Sequence, residues 1–362
     1  MVRGNNIKVL DCTLRDGGFC LEDAKKQNIV TKHFSSKDIQ LIIQKLTMAK
    51  LDYVEIGAIE ASGDNKTIFA IWNEIEEAML YIEQYKKEYT QYALFFRGPD
   101  IPISKIPNCN GESYPIIRLC VRYSELKKSL DYCRLLTQKG YKVSIQPMVT
   151  MRYSLPEMEY ILGEANNMHA YAVYFVDSYG YMQKEDIVRY FEMYDSKLMA
   201  DIRVGFHGHN NMNSAYANAK TLLEIETQRE IILDSCVMGM GQGAGNLQTE
   251  LIVPLLDHNR HRYSYDSILD VCDYIDEYNK FNLWGYSVER LLPAIHKVAY
   301  KYAFTLRYKY HFKYTEIDRM LASIPEDLRH RYTQENVERL IELAGYSIDR
   351  KNGKIINGNN IV

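Results

Sequence analysis

Eight short runs of apolar and β-branched residues recur along the first 240 positions, and this rhythm constrains the fold more than any other feature. They cover residues 7–12, 52–56, 92–96, 116–121, 142–147, 172–176, 202–206 and 231–237. Most are apolar nearly throughout, the pattern of strands covered on both faces in a parallel sheet. Segments with helical spacing stand between them. Residues 36–50 open on Ser-Ser-Lys-Asp, suited to a helix cap, then set Ile39, Ile42, Ile43 and Leu46 on one face. Residues 124–139 stop at Gly140, and 155–168, 184–194, 213–226 and 245–257 complete the alternation.

Eight strand–helix repeats in about 250 residues predict an α/β fold, a (β/α)8 TIM barrel. A doubly wound sheet would carry fewer strands and a Gly-x-Gly-x-x-Gly turn after the first, and residues 13–20 hold no such turn. Beyond the barrel the texture changes. Residues 267–280, 287–308, 315–322 and 333–344 read as helices with no strand between them, and the last eighteen residues suit a hairpin or a loose end. The expected division is a barrel domain, 1–262, and a C-terminal helical extension, 263–362, acting as a second domain or a lid.

Composition narrows the function. Lys and Arg number 44 against 47 Asp and Glu, a formal net charge of −3, so no basic footprint for nucleic acid or an anionic membrane is expected. No apolar run approaches the roughly 18 residues that span a bilayer, and the start lacks the apolar core of a signal peptide. A cytoplasmic protein is expected. Seven cysteines, at 12, 20, 109, 120, 133, 236 and 272, form no Cys-x-x-Cys pair, which argues against a disulfide framework or a zinc ribbon.

In a TIM barrel the chemistry gathers at the C-terminal ends of the strands. The first run leads into Asp11-Cys-Thr-Leu-Arg15-Asp16-Gly-Gly18, whose two glycines suit a sharp turn. The seventh leads into His207-Gly208-His209. Side chains two apart on a strand share a face, so both imidazoles can converge on one ion. A lone strand histidine is ordinarily a core residue; the pair, with Arg15-Asp16 at another strand end, points instead to a metal. Asp16, His207 and His209 suit Mn, Zn, Co or Fe(II), and Mg less well.

Three motifs, Asp11-Cys-Thr-Leu-Arg-Asp-Gly17, Gly205-Phe-His-Gly-His-Asn-Asn211 and Gly239-Met-Gly-Gln-Gly-Ala-Gly-Asn246, together resemble the DRE-TIM metallolyases. That superfamily includes 3-hydroxy-3-methylglutaryl-CoA lyase, isopropylmalate and homocitrate synthases, and 4-hydroxy-2-oxovalerate aldolase. The likeness spans residues 7–256 in order. Gly17-Gly18 and Val176-Asp-Ser-Tyr-Gly180 look most like aldolase-type members, some of which resemble proteins of surface-polysaccharide biosynthesis. The resemblance implies a divalent metal, manganese foremost with Mg, Co or Zn as alternatives, held by Asp16, His207, His209 and Asn246. It implies that Arg15 faces the 2-oxo oxygen of a pyruvate-like substrate and stabilises its enolate, with Glu55 orienting Arg15. Arg15, Gln146, Asp177 and Tyr179 are expected to bind substrate. Glu250 is expected to hold the glycine-rich loop, and the glycines at 239, 241, 243 and 245 offer a phosphate cradle or plain turns.

The chain departs from the aldolases at Phe19, where they carry a histidine base. His33, Tyr179, Tyr286 and His296 are the candidate replacements. The cysteine-bearing loop of the coenzyme A lyases is absent after the eighth run. The expected activity is therefore an aldolase or aldol-type synthase acting on a 2-oxo acid and an aldehyde. The alternatives are a Claisen-type acyltransferase using acetyl-CoA and a non-catalytic or partner-dependent metal-binding barrel. A mononuclear iron oxygenase shares the ligand set but leaves Arg15 and Asn246 without a role. A homo-oligomer is expected, and a dehydrogenase partner docked through the extension is a further expectation.

Overall fold

The computed structural model describes residues 6–29, 31–60, 64, 66–85, 89–111, 114–257, 261–349 and 354–358. Strands β1 (Ile7–Asp11), β2 (Tyr53–Ile59), β3 (Ile71–Trp72), β4 (Gln91–Phe96), β5 (Ile116–Arg122), β6 (Val143–Met148), β7 (Ala172–Asp177), β8 (Arg203–Gly208) and β9 (Ile231–Ser235) form one sheet. All its pairings are parallel, in the order β1-β9-β8-β7-β6-β5-β4-β2, with β1 paired to β2. The sheet therefore closes as an eight-stranded TIM barrel, and β3 is a short addition beside the end of β2.

Helices α1 (Thr13–Lys26), α2 (Ser36–Met48), α3 (Ile75–Met79), α4 (Leu126–Gln138), α5 (Leu155–Asn167), α6 (Lys184–Lys197), α7 (Ala215–Glu224) and α8 (Thr249–Leu256) lie between and after these strands. Their starts follow local chemistry: Ser35 with Asp38, and Ser154 with Glu157, close reciprocal capping boxes on α2 and α5. Helix α9 (Tyr265–Asn279) puts Ile268, Val271 and Ile275 into the same hydrophobic core as the barrel strands.

The extension continues with α10 (Val288–Ile295), α11 (Lys301–Tyr308), α12 (Tyr314–Ala322), α13 (Glu326–Arg329) and α14 (Gln334–Leu343), and ends in a hairpin of β10 (Tyr346–Asp349) and β11 (Lys354–Gly358). Its core, around Tyr302, Leu306, Ile317, Leu321 and Leu340, also takes in Val149, Tyr179 and Tyr181. The extension thus sits over the C-terminal ends of β6 and β7. Gly353, in the expected terminal hairpin, lies outside the described residues. Among the described residues no helix is long and apolar enough to cross a membrane, and all seven cysteines are free thiols.

Three local expectations change. Gly17 and Gly18 do not turn the chain; they lie inside α1. A Cβ on Gly17 would meet the Met240 sulfur at 2.7 Å, and one on Gly18 would collide with the Phe69 carbonyl. Glycine costs a helix about 1 kcal/mol, and here close packing is what that cost permits. The helix expected over 287–308 is two, because Lys297 takes a left-handed φ of 56° between α10 and α11. The helix expected from 245 begins only at Thr249. The glycines before it serve turns, with φ of 63° at Gly239, 64° at Gly243 and 81° at Gly245. The amides of Gly245, Asn246 and Leu247 already bond the carbonyls of Gln242, Gly239 and Gly208, so they are not free to cradle a phosphate.

Candidate active site

Strand β1 ends at Asp11, and the first turn of α1 lifts Arg15 and Asp16 over the barrel mouth, the Asp16 amide bonding the Cys12 carbonyl at 2.9 Å. Strand β8 carries His207, with His209 just beyond its end; a Cβ on the intervening Gly208 would meet the Phe206 ring at 2.7 Å. The two imidazole rings stand 4.9 Å apart. His207 Nδ1 donates to Asp234 at 2.8 Å, and His209 Nδ1 donates to the Asp177 carbonyl at 2.8 Å. Each ring therefore keeps its Nε2 lone pair for another partner, and His207 Nε2 lies 3.5 Å from Asp16 Oδ2. Burial pushes His207 far below the usual histidine range and lowers His209, which favours neutral imidazoles able to ligate a cation.

Beneath these groups runs a buried chain of charge. Arg15 contacts Asp16 through Nη1 and Glu55 through Nε at 2.8 Å. Glu55 pairs with Arg118 Nη1 at 2.8 Å, and Arg118 Nη2 contacts Asp234, which returns to His207. Burial opposes both guanidinium charges, but the flanking carboxylates outweigh it and hold both arginines protonated. Three carboxyl groups face two guanidiniums in a water-poor interior, and burial raises the Asp234 carboxyl against the pull of Arg118, so an added cation would complete the charge balance. Asn246 Nδ2 donates to Asp16 Oδ2 at 3.1 Å and to Cys236 Sγ at 3.2 Å. Its Oδ1 is buried with no hydrogen-bond partner among the described residues. A carboxylate, two imidazoles with anchored Nδ1 atoms and an orphaned amide oxygen fit a divalent metal.

The remaining sequence candidates separate. Glu55 lies in this network. Gln146 is buried on β6 with its Nε2 unpartnered, and Asp177 accepts the amides of Tyr181 and Met182 at 2.9 and 3.0 Å. Burial pushes the Asp177 carboxyl up to about 7, against those donors. Tyr179 stacks on His330 of the extension, with ring centroids 6.0 Å apart. Glu250 accepts the Met238 amide at 2.9 Å, holding the glycine loop as expected. His33 packs edge-on against Phe69, Tyr286 is 57% exposed, and His296 pairs with Asp318 at 2.7 Å. Among the described residues no hydrogen bond, ion pair or ring contact joins these three to Arg15, Asp16, His207 or His209. Phe19 lies under the guanidinium of Arg97, 3.9 Å from its ring centroid, with Arg15 at 5.7 Å. Arg118, Asp234, Cys12 and Cys236 escaped sequence reasoning, although a charged residue inside an otherwise apolar run marks the first two.

On the far side of the glycine loop a cavity of about 510 Å³ opens between α1 and the extension. Asp23 anchors its wall, accepting from Gln242 of the loop, Tyr300 at 2.9 Å and Lys301 at 2.8 Å.

Comparison with known proteins agrees with this geometry. Residues 116–276 match the HMGL-like family. The oxaloacetate decarboxylase of Mycobacterium tuberculosis is 29% identical over 259 residues, 71% of this chain and 72% of that protein. A 4-hydroxy-2-oxovalerate aldolase of Geobacillus genomosp. 3 is 24% identical over 275 residues, 74% of this chain and 76% of that one. The hydroxymethylglutaryl-CoA lyase structure from Pseudomonas aeruginosa superposes with a TM-score of 0.56 at 18% identity, covering 74% of this chain and 92% of that one, which is a likeness of fold. The closed barrel, the Arg15-Asp16 pair and the two strand-end histidines accord with an HMGL-like domain over residues 116–276 and with relatives named as a decarboxylase and an aldolase.

Proposed function

We propose that this chain is a metal-dependent lyase that cleaves a 2-oxo acid and leaves a pyruvate-like enolate beside Arg15. The observation that carries the proposal is the Arg15 guanidinium, fixed between Asp16 and Glu55 at the edge of the candidate metal centre. Asp16, His207, His209 and Asn246 would hold the ion, manganese or another divalent metal, which would supply Lewis-acid polarisation of the 2-oxo group. Arg15 is a fixed cation whose orientation is set before substrate arrives, so it stabilises negative charge on the enolate oxygen without reorganising. Glu55 keeps it aimed. Asp234 holds the His207 ring, and the Asp177 carbonyl holds that of His209. Gln146 and Asp177, with Tyr179 at the rim, are the proposed substrate contacts.

The aldolase reading needs a base for the 4-hydroxyl, and Phe19 cannot supply one; His33, Tyr286 and His296 would have to approach from outside the cluster. A second reading meets this directly. Loss of carbon dioxide from a β-carboxylated 2-oxo acid makes the same enolate with no proton abstraction, and the M. tuberculosis relative is named for such a reaction. Exchange of pyruvate methyl protons into heavy water, with Mn, Co, Mg or Zn present, tests enolate formation. Metal-dependent pyruvate release from oxaloacetate tests the second reading. Neither activity with any metal would sink the proposal, and thiol release from acetyl-CoA would turn it to a Claisen acyl transfer. The division at 262/263, homo-oligomerisation and a dehydrogenase partner docked on the extension belong to the same proposal; light scattering tests the oligomer.

A further inference from the structure

Two thiols lie directly beneath the candidate metal centre. Cys12, following β1, and Cys236, following β9, are both fully buried in the layer of side chains that fills the barrel interior. Their sulfurs are 3.4 Å apart. A buried cysteine can simply be a small apolar filler. Cys12 differs in where its sulfur points: it is 3.8 Å from Asp16 Oδ2, and Asp16 Oδ2 is 3.5 Å from His207 Nε2. One ligand atom from each of Cys12, Asp16 and His207 falls within 4.8 Å of the other two. Bonds of about 2.0 to 2.3 Å from a single ion to sulfur, oxygen and nitrogen give ligand–ligand separations of this size.

We infer that Cys12 is a direct ligand of the metal, bound through its sulfur beside Asp16 and His207, and that this makes the centre thiophilic. The inference rests on the metal-centre reading above and deepens it. A thiolate favours Zn²⁺, Co²⁺ or Fe²⁺ over Mg²⁺ and Mn²⁺, so the preferred ion moves away from manganese. As the sulfur–metal bond forms, the Cys12 S–H bond breaks and its proton leaves to solvent. Cys236, in turn, is placed to donate its own S–H to the Cys12 sulfur while receiving the Asn246 amide at 3.2 Å. It supports the ligand without being one.

Cobalt substitution of the full chain tests this, because thiolate ligation adds an intense near-ultraviolet charge-transfer band to the weak visible bands of Co²⁺. The wild-type protein should show that band, Cys12→Ser should lose it, and Cys236→Ser should keep it. X-ray absorption on the unmutated zinc protein should find one sulfur at about 2.3 Å, a reading that needs no variant to fold. Cys12→Ser should also weaken Zn²⁺ binding by about 100-fold or more, with Mg²⁺ binding little changed. Visible bands without charge transfer and without a sulfur shell would overturn the Cys12 assignment and leave the metal centre standing. A band lost in Cys236→Ser and kept in Cys12→Ser would overturn it too. If Co²⁺ and Zn²⁺ bind nowhere in the barrel, both the assignment and the metal-centre reading fall.

Discussion

Buried arginines occur at both ends of this barrel, and their partners differ. At the N-terminal end Arg229 spends its donors on Asp195, including Nε at 2.5 Å, and on the carbonyls of Met199, Ile202 and Leu198 at 2.6 to 3.0 Å. One carboxylate balances one guanidinium, and backbone oxygens satisfy the rest. At the C-terminal end Arg15 and Arg118 are shared among Asp16, Glu55 and Asp234. The first arrangement is complete by itself. The second has one more carboxyl than guanidinium, and its Asp16 also meets His207 Nε2 and the Asn246 amide. Saturation marks a structural arginine here, and imbalance marks a site prepared for a ligand.

The largest test of that contrast is Arg229→Met. It leaves the carbonyls of Met199, Ile202 and Leu198 without their donor, while the partly exposed Asp195 turns to solvent, and should cost about 3–5 kcal/mol of folding free energy in denaturant titrations, with metal affinity unchanged. Asp11 is a third case, a buried carboxylate with no cation beside it among the described residues, served by the Thr13 amide at 2.9 Å and the Thr249 hydroxyl at 2.7 Å. Burial pushes it up to about 6. Its folded-state value lies above its unfolded one, so its contribution to stability is complete below about pH 4 and is lost as pH rises through about 6. Wild type should therefore lose up to about 3 kcal/mol relative to Asp11→Asn across that window, read from unfolding curves at each pH. Parallel curves would remove Asp11 from the comparison.

Asp16→Asn should separate function from folding at the C-terminal end. With the network neutralised, the metal-free protein should be as stable as wild type or more so, while calorimetry should show metal affinity reduced by about 100-fold. A fall in metal-free stability matching that of Arg229→Met would erase the distinction. The smallest effect is expected from Arg15→Lys, which keeps the charge but not the fork between Asp16 and Glu55. It should lower kcat by roughly tenfold with metal binding intact.

Much of this was legible in the sequence because a parallel barrel writes its strands as apolar runs. All eight expected runs coincide with barrel strands to within a few residues. Helix α1 was not legible, since Gly17 and Gly18 break helices in isolation and are tolerated only because Met240 and Phe69 approach from elsewhere in the chain. The break at Lys297 has the same character, a left-handed residue that local spacing does not announce. His207 and His209 could be paired because strand periodicity is local. Their anchors could not: Asp234 and the Asp177 carbonyl come from neighbouring strands, and the link from Glu55 through Arg118 needs the closed cylinder.

Asp23 carries a consequence for how this architecture can be rebuilt. One carboxylate joins the helix bearing Arg15 and Asp16, the loop bearing Asn246, and the extension that supplies Tyr300 and Lys301. The extension is thereby a splint for the metal-holding loop as well as a cover. A chimera that grafts a foreign C-terminal segment onto this barrel would need to supply a hydroxyl and an ammonium at the same two places, or the loop would lose its brace.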